Sequence, residues 1–238
     1  MPSASAEGEP RLHLPPELES DRADFLSSLG REAARRPPGD PLAEALRTPR
    51  ALESWDRLAA LVFQQSARLA LVADRDRSRL YTRHILDSLN PLELLWTSIG
   101  SVLDIGTGAG FPGIPLAIAR PGIKVTLLES REKKVGFLEQ AIRYLSLPNA
   151  TAVSARLEAY GRSWRTDPVD AIVIRAVGGL PELLGHAARA ARPGALWIYF
   201  VGSQERADAL LESIEEKALA PRVVRGIFGG TLLTGSFQ

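Results

Sequence analysis

The chain has 238 residues, of which 45% are hydrophobic and 24% charged, and its formal net charge is +1. This length buries a core without disulfides, and the absence of cysteine excludes thiolate metal sites and cysteine nucleophiles. The near-neutral charge disfavours a surface that binds nucleic acid everywhere but permits a local basic face. No apolar run reaches the ~18 residues of a membrane span and the start lacks the apolar core of a signal peptide, so we expect a cytoplasmic protein with no membrane partner.

The first third of the chain is predicted to be helical. Residues 1–16 are small, charged and punctuated by proline, which predicts a flexible tail. Within residues 17–97, apolar side chains recur at spacings of three and four from Ala51 to Val72 and from Ser78 to Leu95, which is typical of amphipathic helices. The segment Arg31 to Leu42 contains Pro-Pro-Gly and predicts a loop. We therefore expect a tail and then an N-terminal helical subdomain.

The remainder of the chain, residues 98–238, alternates strand and helix patterns. The strand patterns read SVLDIG, KVTLLES, TAVSA, DAIVIRAVG, ALWIYFVG and RVVRGIF, and a charged helix is predicted from Gln204 to Ala218. Strands that are apolar throughout and alternate with helices predict an α/β fold, with a mostly parallel sheet and helices on both faces. Ligands bind such sheets at the carboxyl ends of the strands, beside the switch point. The candidate site is therefore expected there.

The turn after the first strand pattern is rich in glycine. Gly106, Gly108 and Gly110 give G-x-G-x-G, whereas Gly108, Gly110 and Gly113 satisfy the dinucleotide fingerprint G-x-G-x-x-G. Asp104 ends the strand just before the turn, where a carboxylate would oppose a pyrophosphate. The same carboxylate could pair with the ammonium of an amino-acid moiety, directly or through water. This charge pattern favours S-adenosylmethionine over a dinucleotide.

Glu129 ends the second strand pattern, KVTLLES. An acidic residue at this place can accept hydrogen bonds from both ribose hydroxyls of a nucleoside cofactor. Both the S-adenosylmethionine and the dinucleotide interpretation require an acidic residue at this position. The alternative is structural: the glycines make a tight turn and Glu129 caps the helix that follows.

The residue types restrict the methyl acceptor. Methylation of a pyrimidine at carbon 5 usually needs a cysteine, which the chain lacks. Methylation of an exocyclic adenine amine uses Asp or Asn followed by Pro-Pro-aromatic, where this chain reads Ile174-Arg175-Ala176-Val177. An acceptor with an exposed lone pair, such as N7 of guanine, needs only placement and charge stabilisation. Arginines without an evident general base agree with such an acceptor.

Five segments together resemble one family. They are RHILDSL (Arg83 to Leu89), DIGTGAGFPGIPLAI (Asp104 to Ile118), LLESREKKVGFL (Leu127 to Leu138), ARLE (Ala155 to Glu158) and IRAV (Ile174 to Val177). In this order and spacing they are similar to the RsmG, or glucose-inhibited division protein B, family of bacterial 16S rRNA guanine-N7 methyltransferases. The resemblance implies a Rossmann-like class I fold, S-adenosylmethionine as cofactor, 16S rRNA or the small ribosomal subunit as partner, no metal, and a monomer.

The resemblance also implies roles for individual residues. The cofactor-binding set is Asp104, Gly106, Gly108, Gly110, Phe111, Glu129, Leu157, Glu158 and Arg175. Within it, the glycines and Phe111 enclose the methionine end, Glu129 holds the ribose, and Leu157 and Glu158 lie on the adenine side. The implied catalytic residues are Arg175, placed between cofactor and RNA, and Arg156. The implied substrate-binding residues are Arg83, His84 and Arg156.

Two sets of polar residues upstream of the sheet allow more than one interpretation. His84 and Asp87 fall at i and i+3, where an acid-base or metal role is conceivable but a structural hydrogen-bonded pair is expected. The arginines between residues 75 and 83 could face RNA. Because Asp74 and Asp76 interleave with them, a solvated helix edge is the alternative.

Departures from the family keep a second function open. The family's lysine after the fifth strand is replaced by Phe200-Val201-Gly202-Ser203, and the C-terminal segment ends without the family's basic residues. A catalytically silent RNA- or ribosome-binding protein with the same fold is therefore one alternative. A nicotinamide-dependent oxidoreductase is another, disfavoured by Asp104 and by the lack of a Tyr-x-x-x-Lys or His-based hydride-transfer site.

Overall fold

The computed structural model describes residues 14–96, 98–160, 167–214 and 220–238. Most of the predicted tail lies outside these ranges. The helices before the sheet are α1 (Glu19–Ala34), α2 (Pro41–Ala45), α3 (Pro49–Leu69) and α4 (Leu92–Leu95). The side chains of Asp40 and Thr48 accept hydrogen bonds from backbone amides at the starts of α2 and α3, at 2.9 and 3.1 Å. The loop predicted from Arg31 is shorter than expected, because α1 continues to Ala34.

The single helix predicted over Ser78–Leu95 is wrong. The segment contains a 3-10 helix (Asp74–Arg79), a π-helix (Leu80–Leu86) and then α4. The buried carboxylate of Asp21 on α1 anchors the start of the π-helix, accepting a hydrogen bond from the Tyr81 amide at 2.7 Å and another from the Thr82 hydroxyl. A π-helix adds a residue to the turn and is often found at functional sites.

Within the described residues, seven strands form one sheet. They are β1 (Ser101–Ile105), β2 (Lys124–Glu129), β3 (Ala150–Ser154), β4 (Val169–Arg175), β5 (Ala191–Phe200), β6 (Arg222–Arg225) and β7 (Thr231–Ser236). Their order is β3-β2-β1-β4-β5-β7-β6; β7 runs antiparallel to both of its neighbours, and the other neighbouring pairs are parallel. The mostly parallel sheet confirms the predicted fold class. Strand β7 was not predicted.

Helices cover both faces of the sheet, as the strand pattern predicted. They are α5 (Gly113–Ala119), α6 (Glu132–Tyr144), α7 (Leu157–Tyr160), α8 (Leu180–Ala187) and α9 (Gln204–Ser213). The part of this last helix predicted beyond residue 214, up to residue 218, lies outside the described residues. Alternate residues of β1 point to opposite faces: Val102 joins one apolar cluster, while Leu103 and Ile105 join the other.

The helices at the start of the chain share a hydrophobic core with one face of the sheet. The cluster that contains Val102 also contains Phe25 of α1 and Trp55 of α3, both almost fully buried. The change near residue 97 is therefore a change from helices to strands. Its interpretation as a boundary between a helical subdomain and a methyltransferase domain stays a prediction.

Candidate functional site

A cleft of about 940 Å³ lies at the carboxyl ends of the central strands. It is lined by the β1–α5 turn, by Glu129 to Arg131 after β2, by Arg175 to Val177 after β4, and by parts of the π-helix. Strand order reverses at β1, which has β2 on one side and β4 on the other. This is the switch point at which open α/β sheets bind ligands. The volume lies within the range of roughly 300–1,000 Å³ typical of small-molecule sites.

The glycine turn forms one wall of this cleft. Gly106, Gly108 and Gly110 all have positive φ, at +67°, +59° and +89°. Gly106 and Gly108 line the cleft together with Phe111, whereas Gly110 lies behind the turn, where a Cβ would be 2.3 Å from Ile114 Cδ1. The backbone can follow this path only because the three residues lack side chains.

Asp104 lies behind the glycine turn and holds it in shape. Its side chain is fully buried, and its Oδ2 accepts hydrogen bonds from the Thr107 hydroxyl at 2.5 Å and the Gly113 amide at 2.7 Å. Burial raises the pKa of this carboxyl to about 7, with the two hydrogen bonds opposing the rise. Asp104 does not line the cleft, so only the water-mediated form of the predicted ammonium contact stays open.

Substitution of Gly113 tests how closely this turn is packed. A Cβ at Gly113 would lie 2.2 Å from Leu127 Cδ2 and 2.7 Å from Asp104 Oδ2. We expect Gly113→Ala to lower the free energy of unfolding by about 2 kcal/mol in urea denaturation, because overpacking costs ~1–3 kcal/mol. Gly136→Ala, inside α6 with nothing within 4 Å of the added Cβ, should be neutral or stabilising by up to ~1 kcal/mol. Equal losses in both variants would contradict the close approach at Gly113.

Glu129 stands at the end of β2 with its carboxylate at the cleft. The residue is 8% exposed, and its two oxygens accept hydrogen bonds from the Gly108 amide at 3.1 Å and the Arg131 amide at 2.9 Å. Each carboxylate oxygen has capacity for a further hydrogen bond. The contact with Arg131, just before α6, shows that Glu129 has the structural role named as the alternative, and its role in binding the ribose stays a prediction.

Arg175, at the end of β4, is fixed by two contacts with the π-helix region. Its Nη2 lies 2.8 Å from Asp87 Oδ2 and donates to the backbone carbonyl of Arg83 at 2.7 Å. The guanidinium carbon lies 5.9 Å from the centre of the Phe200 ring. Burial lowers the pKa of Arg175, while Asp87 opposes this effect. The result is a positioned cation at the cleft, where the sequence predicted one.

The predicted hydrogen-bonded pair of His84 and Asp87 is wrong. Asp87 instead contacts Arg175 and accepts a hydrogen bond from Asn90 Nδ2 at 3.1 Å. The His84 ring packs on Phe111 with 5.1 Å between ring centres, and its buried Nε2 has no hydrogen-bond partner among the described residues. Burial lowers the pKa of His84 to about 4, with Arg175 adding to the effect. His84 is therefore neutral near pH 7.

This depressed pKa predicts a pH dependence of stability. In the unfolded chain a histidine has a pKa of about 6.5, so the unfolded state gains a proton before the folded state does. The stability that the neutral His84 contributes is present above about pH 6.5 and is lost as the pH falls towards 4. We expect the melting temperature of the wild type to fall more steeply between pH 7 and 5 than that of His84→Gln. Parallel profiles would show that His84 does not titrate in this way.

Several residues predicted from the sequence do not line the cleft. Arg156 and Glu158, after β3, are exposed, and Leu157 is buried in the apolar cluster on one face of the sheet. They are linked to the cleft through the Ala155 amide, which donates to the Glu129 carbonyl at 3.1 Å. Their proposed roles are not tested by this arrangement.

Two arginines of the segment 75–83 have different surroundings. Arg77 donates to the Phe63 carbonyl at 3.3 Å and lies 4.9 Å from the centre of its ring, which is a packing role. Arg83 is exposed and lines the cleft, as the prediction of a substrate contact requires.

The turn between β6 and β7 forms a second wall of the cleft, which was not predicted from the sequence. Phe228 of this turn lines the cleft, and so do Arg225 at the end of β6 and Arg206 of α9. These arginines bring cations to the side on which the family's lysine is absent. The sequence does contain a signal for this turn, because Gly226 and the pair Gly229-Gly230 lie between two apolar runs, which is typical of a hairpin.

The described parts of the chain contain neither a cluster of metal ligands nor a membrane-spanning helix. There, no group of three or more histidine and acidic side chains is arranged to hold a metal ion. The same residues include no helix with the length and apolar character needed to cross a membrane.

Comparison with known proteins gives consistent matches. Residues 51–224 match the family described as rRNA small subunit methyltransferase G. A protein named ribosomal RNA small subunit methyltransferase G from Stenotrophomonas maltophilia is 34% identical over 218 residues, which are 91% of this chain and 93% of that protein. One of the same name from Acidiphilium cryptum is 39% identical over 73% of this chain and 77% of that protein. The solved structure of an S-adenosylmethionine-dependent methyltransferase from Aquifex aeolicus has a TM-score of 0.51 and 20% identity, covering 64% of this chain and 92% of that one.

Proposed function

Because this chain belongs to the rRNA small subunit methyltransferase G family, it is an S-adenosylmethionine-dependent rRNA methyltransferase, and we propose that its acceptor is N7 of a guanine in 16S rRNA. The observation that supports the proposal best is the cleft at the switch point, with a carboxylate at the end of β2 and a fixed arginine at the end of β4. The comparisons support neither a silent binding protein nor an oxidoreductase.

The residues of the cleft fit the cofactor. We propose that Glu129 accepts hydrogen bonds from the ribose hydroxyls, since both of its oxygens lie at the cleft with unused acceptor capacity. Gly106, Gly108 and Phe111 enclose the methionine end, while Asp104 and Gly110 keep the turn in shape from behind. Leu157 and Glu158 lie on the adenine side. When bound, S-adenosylmethionine supplies an electrophilic methyl group on its sulfonium.

The acceptor side of the cleft suits an atom that needs no deprotonation. N7 of guanine has a free lone pair, so the chain must align the base and tolerate the positive charge that develops on it. Arg175 can donate a hydrogen bond to O6 of the guanine, and the Asp87 carboxylate beside it offsets the positive charge of the guanidinium. His84 is neutral and is placed to contact the base edge rather than to move a proton. Arg83 and Arg156 would contact phosphates.

The remaining parts of the proposal concern where and in what form the protein acts. We propose a monomer in the cytoplasm, where small ribosomal subunits are assembled. Methyl transfer to a lone pair requires placement alone, so the proposed mechanism uses no metal ion.

The experiment that tests this function is methyl transfer in vitro. Labelled S-adenosylmethionine is incubated with the protein and either naked 16S rRNA or small subunits from a strain that lacks this modification. We expect label in one of the two substrates, which also identifies the natural form of the acceptor. Absence of label in both, with cofactor binding intact, would overturn the proposal.

A further inference from the structure

Asn90 joins two parts of the cleft that lie far apart in the sequence. The residue is 3% exposed and directly follows the RHILDSL segment. Its Nδ2 donates to the Asp87 carbonyl at 3.0 Å and to Asp87 Oδ1 at 3.1 Å. Its Oδ1 accepts from the Phe228 and Gly230 amides, both at 3.0 Å. The side chain therefore links Asp87 to the β6–β7 turn.

The β6–β7 turn is shaped to receive this side chain. The Ile227 amide donates to the Asn90 carbonyl at 3.2 Å, and the Gly226 amide closes the turn on the Gly230 carbonyl at 2.8 Å. A Cβ at Gly226 or Gly230 would lie 2.4 or 2.5 Å from atoms of the Asn90 side chain. The asparagine thus fits into space that exists because these two residues are glycines.

The hydrogen-bonding capacity of the Asn90 amide is fully used. A primary amide has two N–H donors and two acceptor lone pairs. Both donors are directed at Asp87 and both lone pairs receive backbone amides of the turn. Although Asn90 lines the cleft, it has no group left with which to bind a ligand. Its contribution has to act through its neighbours.

Those neighbours both contribute to the acceptor side of the cleft. On one side Asp87 holds Arg175, with 2.8 Å between Oδ2 and Nη2. On the other side, Phe228 of the turn and Arg225 at the end of β6 line the same cleft. A shift of the Asn90 side chain would therefore displace both the Arg175 guanidinium and the wall of the cleft formed by the β6–β7 turn.

We propose that Asn90 is a positioning residue for the RNA acceptor. It fixes the Asp87–Arg175 pair and the β6–β7 turn in one relative position, and so aligns the acceptor base without touching it. The inference rests on the proposed function, because it assigns the β6–β7 side of the cleft to the acceptor. It goes beyond that function by assigning alignment to a residue outside the cofactor-binding and arginine sets.

The sharpest test is Asn90→Asp, which preserves volume. The variant keeps an oxygen for the turn amides but replaces a donor by a carboxylate oxygen about 3.1 Å from the Asp87 carboxylate. We expect kcat/KM for the ribosomal acceptor to fall about tenfold or more, since small displacements of reacting groups can cost up to about a hundredfold. The Kd for S-adenosylmethionine, measured by calorimetry, should stay within about twofold of the wild type. Gly230→Ala, which pushes the turn from the other side, should give the same pattern.

Asn149→Ala is the matched control. Asn149 Nδ2 donates to the carbonyls of Ala117 at 3.0 Å and Ile123 at 3.1 Å, and Asn149 does not line the cleft. This variant should lose thermal stability with no change in kcat/KM for the acceptor. Wild-type kinetics in Asn90→Asp, or equal losses of acceptor turnover and cofactor affinity, would overturn the inference. A wild type that transfers no methyl group would instead overturn the proposed function.

Discussion

Replacement of Glu129 by alanine is expected to lower the affinity for S-adenosylmethionine by about a hundredfold or more while the protein stays folded. Two hydrogen bonds to a charged acceptor contribute roughly 1.5–3 kcal/mol each, and 1.4 kcal/mol corresponds to a factor of ten in Kd. Calorimetric titration of the cofactor measures this loss directly. Circular dichroism tests the fold, which should be only modestly destabilised, because the Gly108 and Arg131 amides lose their acceptor.

Two further variants serve as controls for the loss of cofactor affinity in Glu129→Ala. Glu129→Gln keeps one acceptor oxygen and should bind the cofactor with intermediate affinity. Glu139→Ala removes an exposed carboxylate of α6 and should leave the affinity unchanged. If Glu129→Ala bound S-adenosylmethionine as tightly as the wild type, the assignment of the ribose to Glu129 would be wrong.

Arg175→Ala is expected to lower kcat by about a hundredfold, with a smaller effect on the affinity for the cofactor. Removing a donor directed at the reacting groups typically costs a factor of 10²–10³. Stability should change less, because the Asp87 carboxylate that loses its partner has a side chain 26% exposed and keeps its bond from Asn90. Single-turnover transfer to the RNA acceptor separates this effect from product release.

Arg175→Lys is the informative companion to the alanine variant. Lysine keeps the positive charge, but it lacks the planar guanidinium, whose Nη2 contacts both Asp87 and the Arg83 carbonyl while its other N–H groups stay available to the acceptor. It should recover only part of the turnover. A large fall in melting temperature with unchanged kcat in Arg175→Ala would mean that the arginine is structural and that the acceptor is aligned by other groups.

The fold and the cofactor side of the site could be predicted because they follow from local patterns. Continuously apolar strands that alternate with helices specify a mostly parallel sheet, and such a sheet brings the ends of its strands to one edge. The glycine turn, Glu129 and Arg175 all lie at this cleft, and this could be predicted without knowledge of long-range contacts. Strand β7 was not predicted because its apolar run is short and is followed by Thr234 and Gly235, although the glycines before it are typical of a hairpin.

The acceptor side could not be predicted because it depends on contacts between distant segments. The ion pair of Asp87 with Arg175 and the contacts of Asn90 with Phe228 join residues that no periodicity relates. The π-helix was missed for the same reason, since its start is held by Asp21 of α1. For Asp104, the sequence predicted a position near the end of a strand, but it did not predict that the side chain would be completely buried behind the turn.

Identification of the methylated nucleoside tests the central claim most directly. Small-subunit rRNA labelled by the wild-type protein is digested to nucleosides, compared with methylated standards by mass spectrometry, and mapped to its position in the RNA. We expect N7-methylguanosine at a single position, and much less label from Glu129→Ala at the same concentration of S-adenosylmethionine. A methyl group on another atom or another base would contradict the assignment of guanine N7 as the acceptor.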